Sequence, residues 1–435
     1  MSFPRYPSYK DSGVEWLGEV PGHWDVTRLR HVTNIRKGKL PRETYPTQSA
    51  SSDLPYLSME FLRGDTETPH YVPESPSLLC AEDDDVLLLW DGSNAGEFLR
   101  AKRGVVSSTV AHLSGINIDR DFLFYACKAI QRGLQDQTIG MGIPHVSGDE
   151  LRTRAIACPQ IAEQTQIAAF LDRETAKIDA LVAEQRRLME LLKEKRQAVI
   201  SHAVTQGLNP HAPMKPSGIE WLGDVPAHWN YSALKYLATI KTGYAFSSDD
   251  FVGEGIPVLR IGDITTDGNI DFTDARCLPE DYGTEHAEVA VVRGDIVMAM
   301  TGATIGKTGW YDSERPALLN QRVCIFRSIT PNEQRYIWHV LSAWFYAEHI
   351  ALAAVGGAQP NISDSQLLQC VVPLPPRPEQ VAIAAFLDTE TAKFDTLTTE
   401  AQRAIDLLQE RRTALISAAV TGQIDVRQLT KEQTA

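Results

Sequence analysis

The sequence predicts a mixed α/β protein built as an internal repeat. Two similar α/β domains are separated by an antiparallel pair of long helices (a coiled coil) related by a pseudo-two-fold. Three observations carry this. Lys10-Asp11-Ser12-Gly13-Val14-Glu15-Trp16-Leu17-Gly18-Glu19-Val20-Pro21-Gly22-His23-Trp24 returns 205 residues later as Lys215-Pro216-Ser217-Gly218-Ile219-Glu220-Trp221-Leu222-Gly223-Asp224-Val225-Pro226-Ala227-His228-Trp229. Glu163-Gln164 with Ile167-Ala168-Ala169-Phe170-Leu171-Asp172 returns 216 residues later as Glu379-Gln380 with Ile383-Ala384-Ala385-Phe386-Leu387-Asp388. The stretches between these blocks diverge strongly, so one frame carries two different inserts.

The elements follow in order. Residues 1–158 form a first domain opened by the Trp-Leu-Gly block, and residues 209–375 form the second. Their inserts, about 26 to 158 and 231 to 375, read as mixed α/β. Asp85–Trp90 and Asp295–Met300 are apolar runs of strand length 210 residues apart, each ending in a glycine loop, Asp91–Gly96 and Thr301–Gly306. Leu54–Leu57 matches Ile256–Leu259, and Ile143–Ser147 matches Gln359–Ser363. The four repeated tryptophans, Trp16, Trp24, Trp221 and Trp229, read as core or interface anchors.

Residues 159–208 and 376–435 carry the long helices. Prolines at 159, 373, 375, 376 and 378 mark their entries. Apolar residues then recur every seven positions. With one seam position at Leu171, Ile178, Gln185, Leu192 and Val199, the other falls three residues on, at Glu174, Leu181, Leu188, Lys195 and His202. The second copy gives Leu387, Phe394, Ala401, Leu408 and Leu415, then Glu390, Leu397, Ala404, Arg411 and Ala418. The expected helix-pair seam is therefore Ile178, Leu181, Leu188, Leu192, Val199, Phe394, Leu397, Leu408 and Leu415. Polar layers are expected at Gln185, Lys195 and Arg411. Each helix should run for about 30 residues or more, roughly 45 Å. By repeat logic, the opening block should sit beside the end of the second helix.

Composition narrows the function. Of 435 residues, 43% are apolar, enough for each half to bury a core. No run of eighteen apolar residues occurs, so no membrane span is expected. Met1 to Lys10 lacks an apolar signal core, which points to the cytoplasm. The six cysteines are scattered with no paired spacing, arguing for free thiols and against a metal site. A net charge of −14 excludes a chain coated in phosphate-binding groups, yet Val26 to Arg42 holds Arg28, Arg30, Arg36, Lys37, Lys39 and Arg42 without an acid. Arg100, Lys102 and Arg103 form a second cluster. Thr239 to Cys370 holds 9 basic against 17 acidic residues, so a polyanion there must be met by a few placed groups.

Gly302-Ala303-Thr304-Ile305-Gly306-Lys307-Thr308 resembles a phosphate-binding loop. It has three residues between its glycines where that loop needs four, and no helical period follows. Motifs for adenine methylation, metal-dependent nuclease action, zinc proteolysis and serine hydrolysis are absent, and no histidines pair at ligand spacing. No catalytic residue, metal or cofactor is expected in this chain.

The order of these motifs, both blocks twice over essentially the whole chain, resembles the specificity subunit of type I restriction-modification enzymes. The resemblance implies two target-recognition domains, each reading one half of a bipartite double-stranded DNA site, and helices that form the spacer. It implies a non-catalytic subunit that binds two modification subunits, which use S-adenosylmethionine to methylate adenine. Through them it would join restriction subunits, which use ATP and Mg. On that basis DNA contact is expected from Arg36, Lys37, Lys39, Arg42, Arg100, Lys102 and Arg103 in the first insert. In the second it is expected from Lys241, Tyr244, Arg260, Thr301, Lys307, Asn320, Gln321 and Arg322. The alternative is an assembly scaffold or inhibitor of a methyltransferase complex that never reads DNA.

Overall fold

A computed structural model describes residues 3–137, 144–219, 221–330, 333–355, 360–427 and 429. Ile143, Glu220 and Gln359 of the repeated motifs lie outside them. Packing divides the chain into two compact units, residues 1–184 with 404–435, and residues 185–403. Each unit holds one variable domain and half of each long helix.

The first unit is built on two four-stranded sheets. One is antiparallel and runs in the order Thr33–Lys37, Val110–Gly115, Val86–Leu89, Phe98–Arg100. The other runs Tyr71–Val72, Leu54–Leu57, Gly104–Val106, Cys80–Ala81, with its two central strands parallel. Val86–Leu89 is fully buried along its length, which explains a continuous apolar run in place of an alternating one. A helix, Arg120–Gln135, starts on the Asp119 side chain and buries Phe122, Leu123 and Ile130. Asp25–Arg28 pairs with Ala155–Cys158 where the chain enters and leaves the domain.

The second unit has the same plan. Its sheets run Ala238–Thr242, Val323–Ser328, Ile296–Ala299, Thr308–Trp310, and Arg276–Leu278, Ile256–Leu259, Ala317–Leu319, Ala290–Val291. Asn230–Ala233 closes on Val371–Leu374. The expected two-copy α/β architecture is the observed one, including both apolar runs and both Ile/Leu-Pro strands.

The long helices span Ile161–Gln206 and Arg377–Val420. At 46 and 44 residues they extend about 69 and 66 Å at 1.5 Å per residue, within the expectation of 30 residues or more. Each start is tied by its glutamine: Gln164 Nε2 donates to the Pro159 carbonyl at 2.7 Å and Gln380 Nε2 to that of Pro375 at 2.9 Å. Gly207 and Gly422 follow the two helices at φ +76° and +78°, where a side chain would be strained.

Within the first unit the helices are antiparallel. Glu163, early in the first helix, meets Arg427 just past the end of the second, and Asp179 further on meets the earlier Arg412. Within the second unit Arg196 meets Asp395, and beyond it Gly207 lies against Glu379. The same reversal is therefore seen in each unit.

The seam register needs correction. Ile178, Leu192, Phe394 and Leu415 are buried, and Val199 and Leu408 half-buried, but Leu181, Leu188 and Leu397 are 47, 41 and 45% exposed. The second seam position lies four residues after the first, at Thr175, Val182, Met189, Arg196 and Ala203, and at Thr391, Thr398, Ile405, Arg412 and Ala419. Apolar residues at both 181 and 182, and at 188 and 189, fit either register. What decides it is Thr175 and Thr391, whose hydroxyls donate to the Leu171 and Leu387 carbonyls at 2.6 and 2.7 Å and so need no outside partner. The polar seam residues are accordingly Gln185, Arg196 and Arg412; Lys195 and Arg411 are exposed.

The opening block does close on the end of the second helix. Asp425 N–H donates to the Pro4 carbonyl, Tyr9 hydroxyl donates to that of Gly422, and a Cβ on Gly422 would strike Pro21. Among the described residues no helix is long and apolar enough to cross a membrane.

Candidate nucleic-acid interface

The repeated blocks prove to be joinery. Trp24 and Trp229 are fully buried. Beside them His23 Nε2 lies 2.9 Å from the Glu163 carboxylate and His228 Nε2 2.8 Å from that of Glu379, so each Trp-Leu-Gly block is clasped to its own Glu-Gln block. Trp221 stacks on Phe345 at 4.4 Å, in keeping with an anchoring role. The last residue of each second block holds the variable domain. Asp172 accepts from Arg100 at 2.9 Å and Tyr125 at 2.7 Å; Asp388 accepts from Arg335 and His339, both at 2.8 Å.

Burial lowers the His339 imidazole, against the pull of Asp388, and its Nδ1 has no hydrogen-bond partner among the described residues. Burial works to raise the Asp388 carboxyl, but the His339 and Arg335 donors hold it below the usual carboxylate range.

At one end of the antiparallel sheet of the first unit a close strand crossing brings exposed cations to a turn. Gly38 N–H donates to the Val110 carbonyl at 3.0 Å, and a Cβ there would lie 2.2 Å from the carbonyl oxygens of Val106 and Ser107. Only glycine lets the strand end pass so closely. This crossing sets Arg36, Lys37 and Lys39 beside the turn Ser107-Ser108-Thr109. Trp90 N–H donates to the Thr109 carbonyl at 2.8 Å, and Gly92 N–H to that of Pro144, which brings Asp91 opposite His145. Lys37 Nζ pairs with Asp91 at 2.6 Å and stands over the Trp90 ring. Arg36, Lys39 and Arg42 are exposed and hold no carboxylate among the described residues.

The second unit repeats the crossing. Gly243 N–H donates to the Val323 carbonyl at 3.1 Å, and its missing Cβ would lie 2.1 Å from the Asn320 oxygen. Tyr244 N–H donates to the Leu319 carbonyl, Met300 N–H to that of Arg322, and Gly302 N–H to that of Pro360, setting Thr301 opposite Asn361. Lys241, Tyr244, Thr301, Asn320, Gln321 and Arg322 are thus collected around one turn. Tyr244 is 48% exposed and leans on His286 at 4.6 Å.

The acidic balance of this insert is explained by placement. Of its nine cations, Arg260, Arg293, Arg315, Arg327 and Arg335 each hold a carboxylate. Lys241, Lys307 and Arg322 hold none among the described residues. Arg276 stands over the Phe251 ring at 5.4 Å, so Lys241 and Arg322 are a local cationic spot beside the turn in a domain that stays acidic overall.

Four expected contacts lie elsewhere. Arg100 forks onto Asp121 and Asp172 and serves the helix joint. Lys102 stands over Phe61 at 5.0 Å, and Arg103 faces Glu82. Arg260 closes on Asp263 and the Asp274 carbonyl. In the glycine loop at 302–306 the amides of Ile305, Gly306 and Lys307 turn inward, onto Gly302, Ala299 and Thr304, unlike the open amide cradle of a nucleotide loop. The reading of the sequence missed Ser107, Ser108, Thr109, Asp91, His145 and Asn361. The signal was there in Val106-Ser107-Ser108-Thr109-Val110 against Leu319-Asn320-Gln321-Arg322-Val323, 213 residues apart.

Two copies of one scaffold, with different side chains at equivalent positions, define a paired recognition protein. The model for the type I restriction modification DNA specificity domain matches twice, at residues 21–189 and 226–406. The chain belongs to the specificity subunits of type I restriction-modification systems, which are non-catalytic. It is 31% identical over 418 residues to the specificity subunit of the type I restriction enzyme MjaVIII of Methanocaldococcus jannaschii, covering 94% of this chain and 95% of that protein. It is 22% identical to the EcoKI specificity subunit of Escherichia coli K12, covering 94% and 90%. A solved chain from work on the complex assembly and conformational transition of the type I R-M system superposes with a TM-score of 0.68 at 18% identity. The match covers 93% of this chain and 99% of that one, a likeness of fold.

Proposed function

We propose that each variable domain reads one half of a bipartite site in double-stranded DNA, through the surface around Gly38 in the first and Gly243 in the second. The observation that carries this is the equivalence of the two surfaces in backbone and their difference in side chains. Cations and amides at the end of a rigid sheet suit phosphate positioning and base-edge readout. The helix pair fixes the gap between half-sites and docks two modification subunits. Those subunits bring S-adenosylmethionine, and restriction subunits joined through them bring ATP and Mg; this chain holds no cofactor of its own. The assembly works on DNA in the cytoplasm.

The test is to replace residues 231–375 by the corresponding insert of a relative and map methylated adenines in host DNA. One half of the motif should change while the other half and the gap persist. An unchanged motif would favour a scaffold that never reads DNA.

A further inference from the structure

We infer that the three-residue turns Ser107-Ser108-Thr109 and Asn320-Gln321-Arg322 are equivalent specificity-determining positions, and that only the second reads bases directly, at the major-groove edge of purines. This rests on the DNA-reading function proposed above.

Three backbone hydrogen bonds fix each turn, and none uses a turn side chain. Val110 N–H donates to the Ser107 carbonyl at 3.1 Å and Val323 N–H to that of Asn320 at 3.0 Å. The Gly38 and Gly243 amides bind the residue after the turn, and the Trp90 and Met300 amides bind its last carbonyl, at 2.8 and 3.0 Å. In the first turn the Ser107 hydroxyl also accepts from the Thr109 N–H at 3.2 Å; in the second no turn side chain holds the backbone among the described residues, as a position that varies with the target requires.

The side chains then divide the two domains. In the first, Ser107 is buried and its hydroxyl lies 2.8 Å from that of Thr109, so the turn is short and satisfied within itself. Outward reach there comes from Arg36, Lys37 and Lys39 on the neighbouring strand and the residues that follow it. In the second, Gln321 and Arg322 are exposed, and none of the three side chains has a hydrogen bond or ion pair among the described residues. Asn and Gln match the N6/N7 edge of adenine, and Arg the O6/N7 edge of guanine. Two amides and a guanidinium, unengaged and adjacent, meet purines through N7. The first turn has nothing long enough to do so.

The experiment uses the full chain in complex with its modification subunits and measures methylation of duplexes containing the bipartite site. The insert replacement described above identifies which half-site belongs to the second domain. Gln321→Ala and Arg322→Ala remove exposed side chains without touching the three backbone bonds; unchanged melting and complex assembly verify this. Each variant should lower discrimination at that half-site roughly 5- to 150-fold, leaving the other half-site and the gap as they were. Replacing purines of that half-site by their 7-deaza analogues should cost the parent protein a similar factor, and the matching variant little more. Purine analogues in the other half-site should not show this coupling to turn variants.

An insert replacement that changes the half-site while both turn variants keep the parent motif overturns the turn assignment and leaves DNA reading intact. So does a loss in Arg322→Ala that is uniform across sequences with a shallower salt dependence, which marks a phosphate contact. An insert replacement that changes nothing removes the underlying function as well.

Discussion

Arg412 forks onto Asp179, with Nε 2.9 Å and one terminal nitrogen 3.3 Å from the carboxylate. In the repeat, Asp179 is equivalent to Asp395 and Arg412 to Arg196, each 216 residues apart, and Arg196 meets Asp395 at 3.6 Å. The first unit and the second therefore make the same helix-to-helix pair, with each helix supplying the acid once and the base once. That reciprocity is the internal repeat expressed in the packing within each unit.

The pair should orient more than it stabilises. Arg412 and Asp179 have 29% and 56% of their side chains exposed, so solvent screens much of the attraction. A double-mutant cycle with Arg412→Ala and Asp179→Ala should give a coupling of about 0.3–1 kcal/mol, falling in high salt. Chemical denaturation at low and high ionic strength measures it; coupling well above that range would show a pair acting as a stability anchor.

Core seam positions should behave otherwise. Ile405 is 4% exposed and Leu397 is 45% exposed. Ile405→Ala should cost about 2–4 kcal/mol through lost burial and a cavity, and Leu397→Ala under about 1 kcal/mol. The difference in guanidinium midpoints reports which of the two heptad registers the helices use. Equal costs would return Leu397 to the seam.

These results define what the sequence could express. Repeated blocks are legible because both copies must make the same joint: His23 with Glu163 and His228 with Glu379 are chemical pairs preserved in both places. The apolar runs are legible because burial on both sheet faces leaves no alternation to misread. The seam register is not, since a threonine that bonds its own helix looks polar in a list of residues. Arg100 reads as a DNA contact because its partner Asp172 lies 72 residues away and on another element. The first turn is silent for the opposite reason: Ser107, Ser108 and Thr109 carry no charge, and only their alignment with Asn320, Gln321 and Arg322 marks the place.

Acid should weaken the second unit at His339. Burial lowers its folded pKa below the unfolded value of 6.5, so the folded state binds fewer protons near and below that pH. Stability from this group is present above about pH 6.5 and declines as pH falls through it. Asp388 is also held down, so its contribution is lost only lower, as pH drops below the ordinary carboxylate value of 3.8. Between pH 7 and 5 the parent should lose stability that His339→Gln does not lose, although the variant starts lower. Parallel curves for the two proteins would show that His339 does not titrate in this window.

The length of the helices bears on the gap. Both run unbroken through more than forty residues, with alternating steps of four and three between buried positions. Four residues inserted after Ala183 add about 6 Å and rotate everything beyond by some 40°. Seven residues add about 10 Å and keep the heptad phase. If the helices set the gap, the seven-residue insertion should leave the bases of both half-sites unchanged and lengthen the spacing between them. The four-residue insertion should shift the spacing or abolish binding, because its seam no longer matches the opposite helix. Methylome mapping of the two variants distinguishes these outcomes. New bases at an unchanged spacing would show that the helices carry the domains without measuring the distance between their targets.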